Sequence, residues 1–493
     1  MNNKLSLRVF ILVSSLVSWT FSVSAQQDTV TLTLNSCVAS ALQSGPGVTI
    51  ARELFTSQTE SYNSFRSLLY PQLSLQGQAP GFVRSISSIV QPDGTTKFTP
   101  QSQASSTLNL SLSQQIPFTG GELQISSGLN RIDLFESNSV FYRSSPLSVT
   151  FRQPIFQLNT LRWNSEEQDL RMERATRQWV EVMEEVSLDI TNKFFETYLA
   201  SMNVENARNN VQINDTLYQI SRGRYNVGKI AENDLLQSEL ALLNAQTQFD
   251  NATIAFERAQ KTLAFALGLP KTTPLRLVPP ETIPALFLDP DLAVAEARSN
   301  RSDVVDMELQ KNTSDRSVAQ AKLANTFSAT LTANAGLNQR ADKIPDAYRH
   351  LLDQQQLSLS FEIPIVQWGA GSASVEAALA EQRRVQTAST VRINTMEDEV
   401  YSQVMSLKLL QHQVGISAKA DTMAQRRFEV SKDRYLIGKI DVTNLFLAQN
   451  EKDSARRART QTLWDFWSGY YRLRRMTLYD FESNSRLLTG LMR

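Results

Sequence analysis

Two hydrophobic periods alternate along this chain of 493 residues. From Leu235 onward the large residues Leu235, Leu242, Phe249, Phe256 and Leu263 recur every seven positions, and three residues after each stand Ser238, Ala245, Ala252, Ala259 and Ala266. Large residues at one seam position and small ones at the other predict a long helix packed closely on its neighbours. A less regular stripe, Trp179, Met183, Val186, Ile190, Phe194 and Tyr198, marks the stretch before it. Between about 159 and 224 there is no proline and the only glycine is Gly223. At about 1.5 Å per residue, one helix there would reach roughly 100 Å. Further helical stretches are expected over about 34–69, 291–325, 370–434 and 442–476.

The remaining segments have a period of two. Leu108, Leu110 and Leu112 alternate with Asn109, Ser111 and Ser113, and Leu357, Leu359, Phe361 and Ile363 alternate with polar residues. Such segments make strands with one apolar and one polar face. The first half offers four of them, over about 72–89, 105–116, 122–132 and 147–153, and the second half offers its own within about 328–363. The stretches 89–103, with Pro92-Asp93-Gly94, and 341–350 are expected as loops. From alternation alone, a soluble antiparallel sheet on a core and a membrane barrel with lipid outside and water inside fit equally well.

The order of segments favours the barrel. Strands give way to helix at Pro154 and, in the second half, at Pro364 and Gly369, so they feed directly into very long helices. Helix, strands, long helix, turn and long helix occur in that order twice, over 26–268 and 291–480, divided by a proline-rich connection at 269–290 and followed by a tail at 481–493. This is the signature of a duplicated unit. Each half also writes the same phrase between its long helices, RYNVGKI at 224–230 and RYLIGKI at 434–440. Gly228 and Gly438 suit a tight reversal, because glycine accepts left-handed backbone angles without a Cβ penalty.

Composition narrows the classes further. Lys and Arg total 49 against 49 Asp and Glu, so the totals support no nucleic-acid face. Lys4 and Arg8, an apolar run and Val23-Ser24-Ala25 read as an export signal over 1–25. Cys37 is the only cysteine, which excludes an internal disulfide and a thiolate metal site and suits a buried helix position. His350 and His412 lack any ligand spacing, no phosphate-loop or nucleophile-elbow motif occurs, and no cofactor is implied. The RRAR run at 456–459 reads as a solvated or inter-helix face. A few strands cannot close a transmembrane barrel alone, since open edges are not tolerated in lipid, so several copies must share one.

On the repeated Y-x-x-G-K-I turns, the Asp234-Leu235 and Asn444-Leu445 pairs that follow them, and the exits at Pro154 and Pro364, the whole mature chain resembles the TolC-like outer-membrane efflux duct family. The resemblance implies a mixed α and β membrane protein: a homotrimer with one shared β-barrel in the bacterial outer membrane, continued by an α-helical tunnel across the periplasm. It implies a passive exit duct of a tripartite efflux or type I secretion system, with an inner-membrane pump or transporter and a periplasmic adaptor as partners and outer-membrane lipid around the barrel. By position, Val227, Gly228, Lys229, Ile437, Gly438 and Lys439 would form the docking tips. Asp234, Tyr435, Asp441 and Asn444 would form the periplasmic gate, Asp234 and Tyr435 bonding to one another when it is closed.

Departures from the family pattern accompany the match. Acidic positions that ring the constriction in the family are Asn444 and Leu447 here, and a basic one is Ile440, flanked by Lys439 and Asp441. The four strands of the first half exceed the usual two: if all of them pair, three chains give a wider barrel, and if the hairpin over 120–135 folds outside it, the usual size stands; four strands per chain in all is the expectation favoured. A periplasmic adaptor or secreted coiled-coil scaffold is the alternative class, and the doubled hairpin and lipid-compatible strands argue against it.

Overall fold

The computed structural model describes residues 30–490 except 438 and 441, and the side chains at 30, 89, 435, 436, 442, 443, 489 and 490 also lie outside the description. The export signal expected over 1–25 therefore lies outside the described residues, as do Gly438, Asp441 and the side chain of Tyr435. Strand β1 (Val30–Thr33) leads into helices α1 (Leu34–Ser44) and α2 (Pro46–Leu68), strands β2 (Gln72–Val90), β3 (Thr96–Ile116), β4 (Gly121–Leu134) and β5 (Ser139–Ile155), then helices α3 (Thr160–Asn226) and α4 (Glu232–Ala266). The connection carries β6 (Leu275–Val278); then come α5 (Pro290–Asn300), α6 (Ser302–Ala324), β7 (Ser328–Ala341), β8 (Leu352–Glu362), α7 (Ala370–Leu436) and α8 (Val442–Thr477), and the short strands β9 (Tyr479–Asp480) and β10 (Ser485–Arg486) close the chain of described elements. β1 pairs in parallel with β6, tying the start of the first half to the connection at 269–290.

The long helices form as the seven-residue stripes predict, α3 and α7 at 67 residues each. The shorter expected helices do not run unbroken. The one at 34–69 divides at Gly45, which is extended at φ −66°, ψ 147° and is followed by Pro46, whose ring nitrogen has no proton to donate to the previous turn. The one at 291–325 divides at Arg301, with nearly the same angles, φ −66° and ψ 145°. There a carboxylate on another helix replaces the lost helical bonds: Glu181 of α3 accepts from the backbone N–H of Ser302 at 2.8 Å and from its hydroxyl at 2.7 Å. Arg177 donates to the carbonyl of Ser299 at 2.8 Å beside it. Nothing in the local sequence marks Arg301 as a break, because its cause lies over a hundred residues away.

Six strands form one antiparallel sheet in the order β2-β3-β4-β5-β7-β8. The sheet thus has two strands more than the four per chain favoured for the barrel. β4 is laddered to β3 from Gln103↔Leu134 to Ile116↔Gly121 and to β5 on its other side, so the segment over 120–135, expected as a hairpin, is a single strand and an integral part of the sheet. β3 and β5 also start earlier than the alternation suggested, and the loop expected over 89–103 shrinks to a turn in which Gly94 donates to the carbonyl of Gln91 at 2.9 Å with φ +83°. The strand before Pro154 continues through it to Ile155, with Pro154 opposite Thr330.

The largest buried core lies midway along the helices. Phe194 and Phe195 of α3, Leu263 and Leu267 near the end of α4, Cys37 and Ala41 of α1, Val404 and Leu407 of α7, and Phe466 and Tyr470 of α8 are all essentially inaccessible to solvent. Burial pushes the Cys37 thiol up to about 12, so it remains a neutral apolar packing group. One charged network is sealed beside this core. Arg474 reaches Glu184 at 2.8 Å and Asp480 at 3.5 Å, its guanidinium lies 5.6 Å from the ring centres of both Tyr470 and Tyr471, and the Tyr470 hydroxyl donates to Asp480 at 2.7 Å. Burial pushes the Glu184 carboxyl above its ordinary range, and the Arg474 charge opposes that shift. The RRAR run serves as an inter-helix face: Arg459 meets Asp421 at 3.0 Å and Arg456 meets Glu205 at 3.7 Å.

Removing one member of a buried ion pair strands the other, at a cost of about 3–5 kcal/mol. Arg474→Met should therefore lower the melting temperature of the detergent-purified protein markedly, and the double variant with Glu184→Gln should recover part of the loss. Scanning fluorimetry checks this; an unchanged melting temperature in the single variant would show that the network is neutral.

Candidate functional site

The candidate functional features are the two faces of the sheet, the strand–helix junctions and the helical tips. The register carries one alternation across the sheet. Leu73, Leu112, Ile125, Val149 and Ala335 make one row, and Ser74, Ser111, Ser126, Ser148 and Gly336 the row beside it, pointing to the other face. The apolar face is bare: Leu73 is 68% exposed, Leu357 74% and Phe361 66%. The polar face is concave, with a hollow of about 480 Å³ lined by Thr107, Asn109, Asn130, Arg143, Asn334 and Asn338. Several of its polar groups bond one another across the ladders. The hydroxyls of Ser74 and Ser111 lie 2.9 Å apart, and the amide of Asn334 donates to Ser148 at 2.9 Å and to Thr150 at 2.7 Å.

At the helix end of the sheet, side-chain amides that sequence reading passed over hold the junctions. Asn159 caps α3, accepting from the Arg162 N–H at 3.1 Å, while its amide donates to the carbonyl of Pro117 in the β3–β4 turn at 2.8 Å. Gln153 donates to the carbonyl of Thr119 at 2.9 Å, Gln114 to that of Leu69 at 2.8 Å, and Gln157 to that of Ala329 at 3.0 Å. Glutamine and asparagine crowded around proline in QPIFQLN were the available signal. Aromatic side chains gather at the same level: Tyr70, Phe118, Phe156 and Trp368 are exposed, and Phe327 packs 5.7 Å from Phe156 and 6.3 Å from Phe361.

Two exits use left-handed backbone. Phe156 after β5 has φ +59°, and Trp368 and Gly369 before α7 have φ +47° and +85°. Bulky residues rarely adopt such angles, so the chain turns here where the ends of the strand and the helix demand it. Pro364 sits in the irregular segment between β8 and α7.

The RYNVGKI phrase is a helix stop. Val227 ends α3, Gly228 follows at φ +70°, its N–H donates to the carbonyl of Tyr225 at 2.8 Å, and the Lys229 N–H donates to that of Arg224 at 2.9 Å. These are the paired bonds of a Schellman cap, which satisfy the last carbonyls of the helix. In RYLIGKI the Lys439 N–H makes the same bond to the carbonyl of Arg434 at 2.9 Å. The shared residues are thus those needed to end a helix and reverse. Val227, Lys229, Ile437 and Lys439 are exposed at these turns, while Asp234 and Asn444 stand exposed in the first turns of α4 and α8. The proposed bond between Asp234 and Tyr435 and the place of Asp441 lie outside the described residues.

Residues 119–269 match the family model described as "Outer membrane efflux protein". No curated protein sequence matches the chain. Among solved structures, the fold is similar to that of the Campylobacter jejuni CmeC outer membrane channel at 15% identity, with a TM-score of 0.65, 93% of this chain and 88% of that one covered. It is similar to the Vibrio cholerae outer membrane protein VceC at 15% identity and a TM-score of 0.62, covering 91% and 97%, and to the open state of the Neisseria gonorrhoeae MtrE outer membrane channel at 14% and 0.57, covering 90% and 88%.

Gly228→Ala should strain the left-handed cap by about 1 kcal/mol, with open space around the new methyl group. The amides at 228 and 229 should then exchange hydrogen about five times faster by mass spectrometry; unchanged exchange would mean that the cap does not hold the turn. Residues 119–269 thus match the outer membrane efflux protein family model, and over 93% of its length the chain has the fold of the CmeC outer membrane channel.

Proposed function

We propose that three copies of this chain form a passive duct through the bacterial outer membrane and across the periplasm. The observation that carries this reading is the two-faced sheet, bare and apolar on one side and concave and polar on the other, running directly into helices of 67 residues. Lipid outside and water inside is the environment such a wall needs. No helix among the described residues is long and apolar enough to cross a membrane, so the sheet is the candidate span. The two halves, 26–268 and 291–480, then act as duplicated units joined by 269–290, each giving strands at one end and a helical hairpin at the other.

The duct receives cargo from an inner-membrane pump or transporter through a periplasmic adaptor, in a tripartite efflux or type I secretion system. Val227, Gly228, Lys229, Ile437, Gly438 and Lys439 make the rim on which the adaptor docks. Asp234, Tyr435, Asp441 and Asn444 make the gate, in which a carboxylate accepting a phenolic hydrogen bond holds by about 1.5–3 kcal/mol, weak enough for a docked partner to open.

The purified chain should fractionate with the outer membrane as a trimer and form ion-conducting pores in planar bilayers; a freely soluble, non-conducting chain would overturn the duct. In those bilayers Asp234→Ala with Tyr435→Phe should raise single-channel conductance severalfold, and an unchanged value would remove the latch.

A further inference from the structure

The sheet has six strands per chain, and its two edges match. Among the described residues no strand covers the outer edge of β2 or of β8. Each edge carries the alternation of the whole sheet, with Leu73 and Leu75 on β2 and Leu357, Leu359 and Phe361 on β8 facing the apolar side, and Ser74, Gln76, Ser358 and Ser360 the polar side. Directions also fit. β2 leaves α2 and β8 enters α7 at the helix end, so β8 of one copy meets β2 of another running antiparallel. We propose, on the basis of the duct reading above, that three copies close one barrel of eighteen strands, β8 of each pairing with β2 of the next.

The β3–β4 hairpin decides between this and twelve strands, and three observations put it in the wall. Its ladders on both sides are continuous apart from one bulge between β4 and β5. Leu123, Ile125 and Leu129 extend the apolar face, and Gln124, Ser126 and Asn130 the polar one, without a break in phase. Its helix-end turn is tied to α3 through Asn159 and to β5 through Gln153, and Phe118 in that turn, 92% exposed, joins the aromatic level formed by Tyr70, Phe156 and Trp368. A hairpin folded away from the membrane would need neither that phase nor an aromatic at that depth.

With strands about 4.8 Å apart and tilted by about 40°, eighteen strands give a backbone diameter of about 36 Å, against about 24 Å for twelve. Among the described residues only α2, α3, α6 and α7 in each chain meet the sheet, so the barrel flares above its tunnel. The outer opening then imposes no size limit tighter than the helical tips, which suits bulky cargo.

Strand counting by electron microscopy of the trimer in lipid nanodiscs tests the closure directly: eighteen is expected, and twelve overturns it. Single nitroxide labels on cysteines introduced at 123, 124, 125 and 126 provide a second reading, because Cys37 is buried and does not compete for label. Positions 123 and 125 should relax at least severalfold more with oxygen dissolved in lipid than with a water-soluble nickel complex, and 124 and 126 the reverse. Water access at all four would place β4 outside the wall and overturn the closure even in a trimeric, conducting channel. A chain that forms no trimer would instead overturn the duct itself. Ser74→Cys combined with Ser358→Cys or Ser360→Cys should yield disulfide-linked dimers and trimers under mild oxidation; monomers alone from a verified trimer would exclude the β8–β2 seam.

Discussion

The long helices are gripped at their middles. Phe194 and Phe195 stand close to the centre of α3, and Val400, Val404 and Leu407 close to the centre of α7, and all five are buried in one core with α1, α4 and α8. A helix of this length gains its order from packing rather than from propensity, and burying a large side chain contributes about 1.5–3 kcal/mol. One clamp therefore frees both ends of each helix for other work. Toward one end the helices continue into strands; toward the other they stop at a glycine turn.

The clamp also explains where charge is buried. Arg474, Glu184 and Asp480 lie at its border, where α8 and the C-terminal strands cross α3. Glu296 similarly receives Arg486 through two bonds at 2.7 and 2.9 Å, fastening the last described residues to α5. Charged pairs between elements distant in sequence fix how those elements sit against one another, a requirement that apolar packing alone meets less selectively.

What was legible in the sequence follows from what is local. A stripe every seven residues states a helix, alternation states a strand, and RYNVGKI states a stop, because each depends on neighbours within one turn or one pleat. The break at Arg301 was not legible, since its cap is Glu181 on another helix. The inclusion of β4 in the sheet was not legible either, since Leu123 and Ile125 alternate in the same way whether or not β5 lies beside them. The reversal at Gly228 could be read to the residue, while the junction amides Asn159, Gln153 and Gln114 take their meaning only from carbonyls brought to them by the fold.

The six-strand order also carries a rule of parity. Because β2 and β8 run in opposite directions, copies can join edge to edge only while the count per chain stays even. A single inserted strand would carry the chain to the wrong side of the wall and leave the remaining strands and α7 pointing the wrong way. A whole hairpin returns it to the same side, with the polar and apolar faces still in phase. Walls of this kind can therefore widen only in steps of two strands per copy, and β3–β4, bound at its base by Asn159, has the form of one such step.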